Sequence, residues 1–209
     1  MNYLTTILYS LPYVKEGGWL VAIIYLFSLL ATAVFIERVW ILRKKNILSY
    51  DLWNRIKGLL DEKKWHDIEK ILASGKTPME KLAFTVIINR DSDIDILKEL
   101  VEDQGKIERE KLERGFGFLS LTISVSPLLG LLGTVSGMIR VFSTISQESL
   151  GNPKVLASGI SEALLTTFTG LSVAIITLIF YSYLSSKAKS LSRDLESFSL
   201  KLMDTIKKK

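Results

Sequence analysis

Four side chains in the last third of the sequence, Glu162, Thr166, Thr167 and Thr169, could do chemistry together, and Thr134 precedes them. Thr166 and Thr169 follow Glu162 at offsets of 4 and 7, which is one helical face. Thr167 falls about 140° around a helix from Glu162, so one helix can present hydroxyls to two neighbours. A hydroxyl both donates and accepts, so clustered threonines can order water for proton movement, but they do not ionise usefully. A titrating carboxylate must therefore come from Glu162 or from another protein. A carboxylate at such depth faces a protein interior or water. A rim glutamate that only hydrogen-bonds its neighbours is the plain alternative, and both roles stay open. The remaining inventory is thin, with no cysteine and one histidine, His66, expected on a solvated helix face. Thiol redox chemistry and His or Cys metal sites are excluded, and no nucleophile–base pair or phosphate loop stands in their place. An enzyme is not expected, nor is any cofactor or metal.

The elements that carry these residues are legible in the charge pattern. The chain has 209 residues, 23% of them charged, an ordinary fraction for a soluble domain. Its mean hydropathy is nonetheless +0.28, so the charges must be clumped. Residues 17–36, 115–139 and 163–186 carry none. Each stretch meets the roughly 20 residues needed to cross a hydrocarbon core of about 30 Å. Of 27 Lys and Arg, 24 lie in 38–114 and 187–209, and the positive-inside rule places both blocks in the cytoplasm. With the boundary residue Glu37 counted in, those blocks also hold 19 of the 22 acids, so the net charge of +5 calls for no nucleic acid partner. The resulting order is a short periplasmic N-terminus (1–16), a first span (17–42), a cytoplasmic helical domain (43–114), a second span (115–142), a periplasmic loop (143–156), a third span (157–186) and a cytoplasmic helical tail (187–209). No basic stretch precedes the first span and Arg43, Lys44 and Lys45 follow it, the pattern of a retained helix rather than a cleaved signal. Trp19 and Trp40 near its ends suit headgroup level. Glu37 and Arg38 read as an interfacial pair or a partner contact. Besides Glu162, the charges outside the two blocks are Lys15, Glu16, Arg140, Glu148 and Lys154, all at or beyond the outer ends of the spans.

The second span has a small-residue face. Ser126, Gly130, Gly133 and Gly137 fall at offsets 0, 4, 7 and 11, and such faces let helices approach closely in lipid. Pro127 removes one backbone hydrogen bond within this helix. Hydroxyls such as Thr134 and Ser136 can satisfy themselves on the carbonyl one turn earlier. If the second and third spans are antiparallel about their connecting loop, Thr134 stands at the level of Thr166 and Thr167. A chain with three spans cannot enclose a pore alone, whereas a ring of identical chains could.

The polar block reads as all-α, with helices expected at 50–61, 64–74, 78–90 and 93–114. Thr77, Pro78 and Glu80 spell a capped helix start. The last helix is expected to continue into the second span. In the tail Leu191, Leu195, Phe198, Leu202 and Ile206 form an apolar stripe for helix–helix packing. One helix from Ala157 to Ile206 would measure about 75 Å.

The run Pro127-Leu128-Leu129-Gly130-Leu131-Leu132-Gly133-Thr134-Val135, with Gly137-Met138 after it, resembles the second-span signature of the MotA/TolQ/ExbB proton channel family. Gly159 to Thr167, with Gly170-Leu171 and Ala174, resembles the third-span signature of its ExbB/TolQ branch. The Glu37-Arg38 pair and the order of spans fit as well. The third span lacks the proline that many relatives carry later in that helix, and the short stretch before Gly17 is closer to the TolQ pattern. The resemblance implies a pentamer whose second and third spans line a pore, in the bacterial inner membrane. It implies a single-span ExbD/TolR-type partner, present as a dimer in that pore and carrying an essential Asp, and a TonB- or TolA-type protein downstream. It also implies that proton flow there drives rotation and passes work to the envelope. By motif, Thr134 and Thr167 match the pore-lining threonines and Glu162 the third-span glutamate. Ser126, Gly130, Gly133, Gly137, Thr166 and Thr169 are expected to line the pore or pack helices. The competing reading is a non-conducting membrane scaffold that anchors a single-span partner.

Overall fold

The structure, a computed structural model, describes residues 12–147 and 153–207. The expected outer N-terminus up to residue 11, Glu148 and the rest of 148–152, and the last two lysines lie outside them, as do the side chains of Lys15, Glu16 and Lys154. All regular structure among the described residues is helical. The order is α1 (Pro12–Ile41), α2 (Lys44–Ile47), α3 (Tyr50–Asp61), α4 (Trp65–Ala73), α5 (Pro78–Ile88), α6 (Ile94–Glu113), α7 (Phe116–Gln147) and α8 (Pro153–Lys207). Three of these contain stretches long and apolar enough to cross a membrane: Gly18–Ile41, Phe116–Ile145 and Leu156–Lys207.

The chain divides into two compact units. One takes the chain up to Ile36 together with Gly115–Ser182, and the other takes Glu37–Arg114 with Tyr183–Lys209. In the second unit the apolar periodicity of short helices builds an ordinary core. Leu52, Ile56, Leu60, Ile68, Leu72, Leu82, Val86 and Leu97 are buried, and the tail stripe Leu191, Leu195, Phe198, Leu202 and Ile206 is buried with them. Trp53 meets Phe198 edge-on at 6.4 Å, and Lys201 lies over the Trp53 ring at 4.7 Å. His66 is exposed. Thr77 caps α5 as its sequence predicts, accepting from the Glu80 N–H while the Glu80 carboxylate accepts from the Thr77 N–H, with Pro78 in the first turn. Burial works to raise the Glu80 carboxyl. The backbone N–H and hydroxyl of Thr77, the N–H of Lys76 and the Ser49 hydroxyl outweigh it and hold the group below the usual glutamate range.

One expectation for this unit changes. Helix α6 does not run on into α7. Arg114 is extended and Gly115 adopts φ +86°, a left-handed conformation that glycine reaches without a Cβ clash and that commonly ends helices. The breaker was Gly115 itself. Glu37 and Arg38 form the pair their adjacency suggests, with Arg38 buried at 6% exposure and Glu37 exposed. The Arg38 guanidinium reaches Glu37 at 3.1 Å and the Lys111 carbonyl at 3.5 Å.

In the first unit the pattern shifts. Ser126, Thr166, Thr169 and Thr177 are buried beside Leu20, Ile24 and Leu119, while Leu26, Leu29, Leu128, Leu131, Phe168, Ile175 and Ile179 face outward. Aromatic contacts join the helices, with Phe27 stacked on Phe118 at 5.9 Å and Phe35 on Phe180 at 4.0 Å. Helix α1 kinks at Gly18, whose φ is +69°.

Candidate functional site

The small-residue face of α7 meets α8 of the same chain. A Cβ at Gly133 would run into the Thr166 side chain, and one at Gly130 would stand 3.0 Å from the Thr166 carbonyl oxygen and the Thr167 Cα. A Cβ at Gly137 would stand 2.9 Å from the Ala163 Cβ and 3.0 Å from the Gly159 carbonyl oxygen. From the other side, Gly170 presses on the Ser126 carbonyl. Gly130, Gly133 and Gly137 are therefore spacers for a backbone-to-backbone approach, as small residues are in membrane helix pairs. Sequence reasoning singled out the α7 half of this interface and missed the α8 half, Gly159, Ala163 and Gly170. The signal was present, since Gly159, Ala163 and Gly170 recur at offsets 0, 4 and 11.

Most hydroxyls here are spent on their own helix. Thr166 donates to the Ala163 carbonyl at 2.8 Å, Thr169 to Leu165 at 2.8 Å and Thr177 to Val173 at 2.8 Å. Such back-bonding removes a buried hydroxyl as an independent polar group. Thr166, at 1% exposure, does not present its hydroxyl to a second neighbour. Ser126 is fully buried and its hydroxyl has no protein partner among the described residues.

Thr167 differs. Its hydroxyl crosses the interface and donates to the Gly130 carbonyl at 2.9 Å. That carbonyl is within reach because Gly130 lets the helices close. The Thr134 hydroxyl donates to the Leu131 carbonyl at 2.7 Å, and its oxygen lies 3.4 Å from that of Thr167. The structure thus brings Thr134 and Thr167 to one level and into contact. Both are partly exposed. With both protons on carbonyls, each oxygen keeps lone pairs free to accept from water.

Glu162 sits about one and a half turns from Thr167 toward the N-terminus of α8. It is not a lone charge. Arg140 of α7 donates to its Oε2 at 2.7 Å, with Glu162 at 19% side-chain exposure and Arg140 at 57%. Sequence reasoning set Arg140 aside as an outer-end charge. Extending the antiparallel level that places Thr134 beside Thr167 puts Glu162 opposite Ile139, the residue before Arg140, within the reach of a long side chain. The described residues contain no group of acids and histidines that could hold a metal ion.

The sequence pattern that defines the MotA/TolQ/ExbB proton channel family matches residues 67–197, which include Thr134, Glu162 and Thr167. The chain is 34% identical over 167 residues to the ExbB-like 3 biopolymer transport protein of Synechocystis sp., covering 78% of this chain and 80% of that relative. It is 31% identical over 167 residues to the Tol-Pal system protein TolQ of Haemophilus influenzae, covering 78% and 69%. The biopolymer transport protein ExbB of Salmonella typhimurium is 44% identical over a shorter stretch of 69 residues, 33% of this chain and 28% of that protein. With Thr134 and Thr167 both inside the matched region and relatives of this kind along most of its length, the chain belongs to the MotA/TolQ/ExbB proton channel family, in its ExbB/TolQ branch.

Proposed function

We propose that this protein is the channel subunit of an inner-membrane motor that uses the proton motive force to energise envelope or outer-membrane processes. The observation that carries the reading is the Thr134–Thr167 contact, two partly exposed hydroxyls 3.4 Å apart on helices whose outer faces are otherwise apolar. Repeated around a homo-pentameric ring, such pairs would give a wetted stripe in an apolar wall, with Glu162 at one end of it. Thr134 and Thr167 order water there, and the ionisable group that moves the proton completes the path. The expected companions are a dimer of an ExbD/TolR-type single-span protein in the pore and a TonB- or TolA-type protein that receives the work. The distribution of basic residues orients the N-terminus to the periplasm and the polar helical unit and tail to the cytoplasm.

The test is the Thr134→Ala, Thr167→Ala double variant, co-reconstituted with the single-span partner in proteoliposomes. Proton flux should be lost while the oligomer elutes as the wild type does. Undiminished flux in that variant would favour another path, and wild-type function indifferent to protonophores would favour a non-conducting scaffold.

A further inference from the structure

The chain leaves its first span over a fixed corner. Helix α1 ends at Ile41, and the side-chain amide of Asn46 donates back to the Trp40 carbonyl at 2.9 Å. Leu42 on one side and Ile47 and Leu48 on the other are buried, so the stretch between them, Arg43 to Asn46, is held outward. Arg43, Lys44 and Lys45 are exposed, and none of them makes an ion pair among the described residues. Glu37, the acid that precedes them, is taken by Arg38. Along α5 and α6 cations behave differently. Lys81 and Lys111 turn to Glu108, Lys98 to Asp95 and Lys106 to Asp103.

The Arg43 guanidinium lies over the Trp40 ring at 5.0 Å, and that ring is 65% exposed. An aromatic face holds a cation in place without neutralising it, so the donors at the guanidinium edge stay available. The pairing recurs on α8, where Lys187 lies over Tyr183 at 5.6 Å. Both aromatics stand where the chain passes from the first unit to the second. Indole and phenol rings take such places at headgroup level. Retaining a span on its side of the membrane asks only for charge near its end. It asks for no buried anchors, no hydrogen-bonded corner and no aromatic seat. We propose that Arg43, Lys44 and Lys45, with Trp40 under Arg43, form a binding site for the phosphate of an anionic phospholipid. Trp40 commits the site to a lipid rather than to a free phosphate. It lies at the end of the apolar stretch Gly18–Ile41 and offers glycerol and acyl carbons an apolar surface beside the cations. The proposal rests on α1 crossing the membrane and needs nothing from the proton path.

Native mass spectrometry of the full-length protein, released from detergent micelles, tests this with three probes: phosphatidylglycerol, phosphatidylcholine and inorganic phosphate. Phosphatidylglycerol should stay bound, and the other two should not. A basic residue close to an anionic headgroup is worth about fivefold in affinity, so Arg43→Gln, Lys44→Gln and Lys45→Gln together should weaken phosphatidylglycerol binding about a hundredfold. A micelle has no two sides, so such a loss is not a change of topology. Phosphatidylcholine held as well as phosphatidylglycerol, phosphate held in place of lipid, or a triple variant with wild-type affinity overturns the proposal. A triple variant that keeps its lipid but loses a single-span protein partner would make the patch a protein contact, which is equally fatal. If the triple variant does not assemble, Lys44→Gln with Lys45→Gln leaves the Trp40–Arg43 pair in place. That variant should lose about 25-fold, and unchanged affinity there overturns the proposal as well.

Discussion

In the unit of residues 37–114 and 183–209, the core is built mainly of leucines and isoleucines and most charges point outward, Arg38 and Glu108 excepted. In the unit of the chain up to Ile36 with 115–182, threonines, a serine and glycines share the inside with Leu20, Ile24 and Leu119, while many leucines, isoleucines and phenylalanines face out. The same chain follows opposite rules because its two parts meet opposite solvents. In water, burying apolar area is the main favourable term. In lipid that term vanishes between helices, so close backbone contact and satisfied hydroxyls hold them together. The consequence for function is direct. A unit that places hydroxyls inside, and shows two of them at the edge of a helix pair, has the materials for a polar path that an ordinary core lacks.

The difference can be broken from either side. The largest effect is expected for Leu191→Ala, a fully buried tail residue of the polar unit, at about 2–5 kcal/mol of stability lost. The matching change in the other unit, Leu29→Ala on an outward face, should move stability by less than about 0.5 kcal/mol. Thermal unfolding in detergent compares them, and similar losses would erase the contrast. Next comes Gly133→Val, which would drive a side chain into Thr166 and separate α7 from α8, at about 1–3 kcal/mol. A midpoint equal to wild type would mean that this interface is not closely packed. Glycine in the polar unit should behave in the opposite sense. Gly105 of α6 has open space around it, so Gly105→Ala should stabilise by about 0.5–1 kcal/mol. The smallest effect concerns pH. The Glu80 carboxyl is held below its ordinary value in the folded state, so its stabilising contribution is complete above the ordinary glutamate range and fades as pH falls through the lowered value. Acid titration of wild type against Glu80→Gln should show that slope in the wild type alone, and parallel curves would remove the capping box as an acid-sensitive element.

Periodicity and caps made most of the polar unit readable, from the Thr77 box to the buried stripe Leu191–Ile206. The exceptions have local causes. Gly115 ends α6 because a single left-handed residue suffices, and no run of breakers announces it. Arg38 is buried because its guanidinium finds Glu37 and a carbonyl of α6, and composition cannot reveal such a partner. In the membrane-type unit the glycines of α7 were legible as a face, but not what they face.

From the sequence alone come the three apolar stretches, the helical class, the level shared by Thr134 and Thr167, and the family signatures. All of these depend on spacing along one helix or on counting residues from a loop. The tertiary structure alone decided which hydroxyls are spent on their own backbone, which one crosses to Gly130, and that Glu162 pairs with Arg140. Those outcomes depend on how each helix is rotated about its axis, and a rotation of one residue, about 100°, exchanges a partner across the interface for lipid.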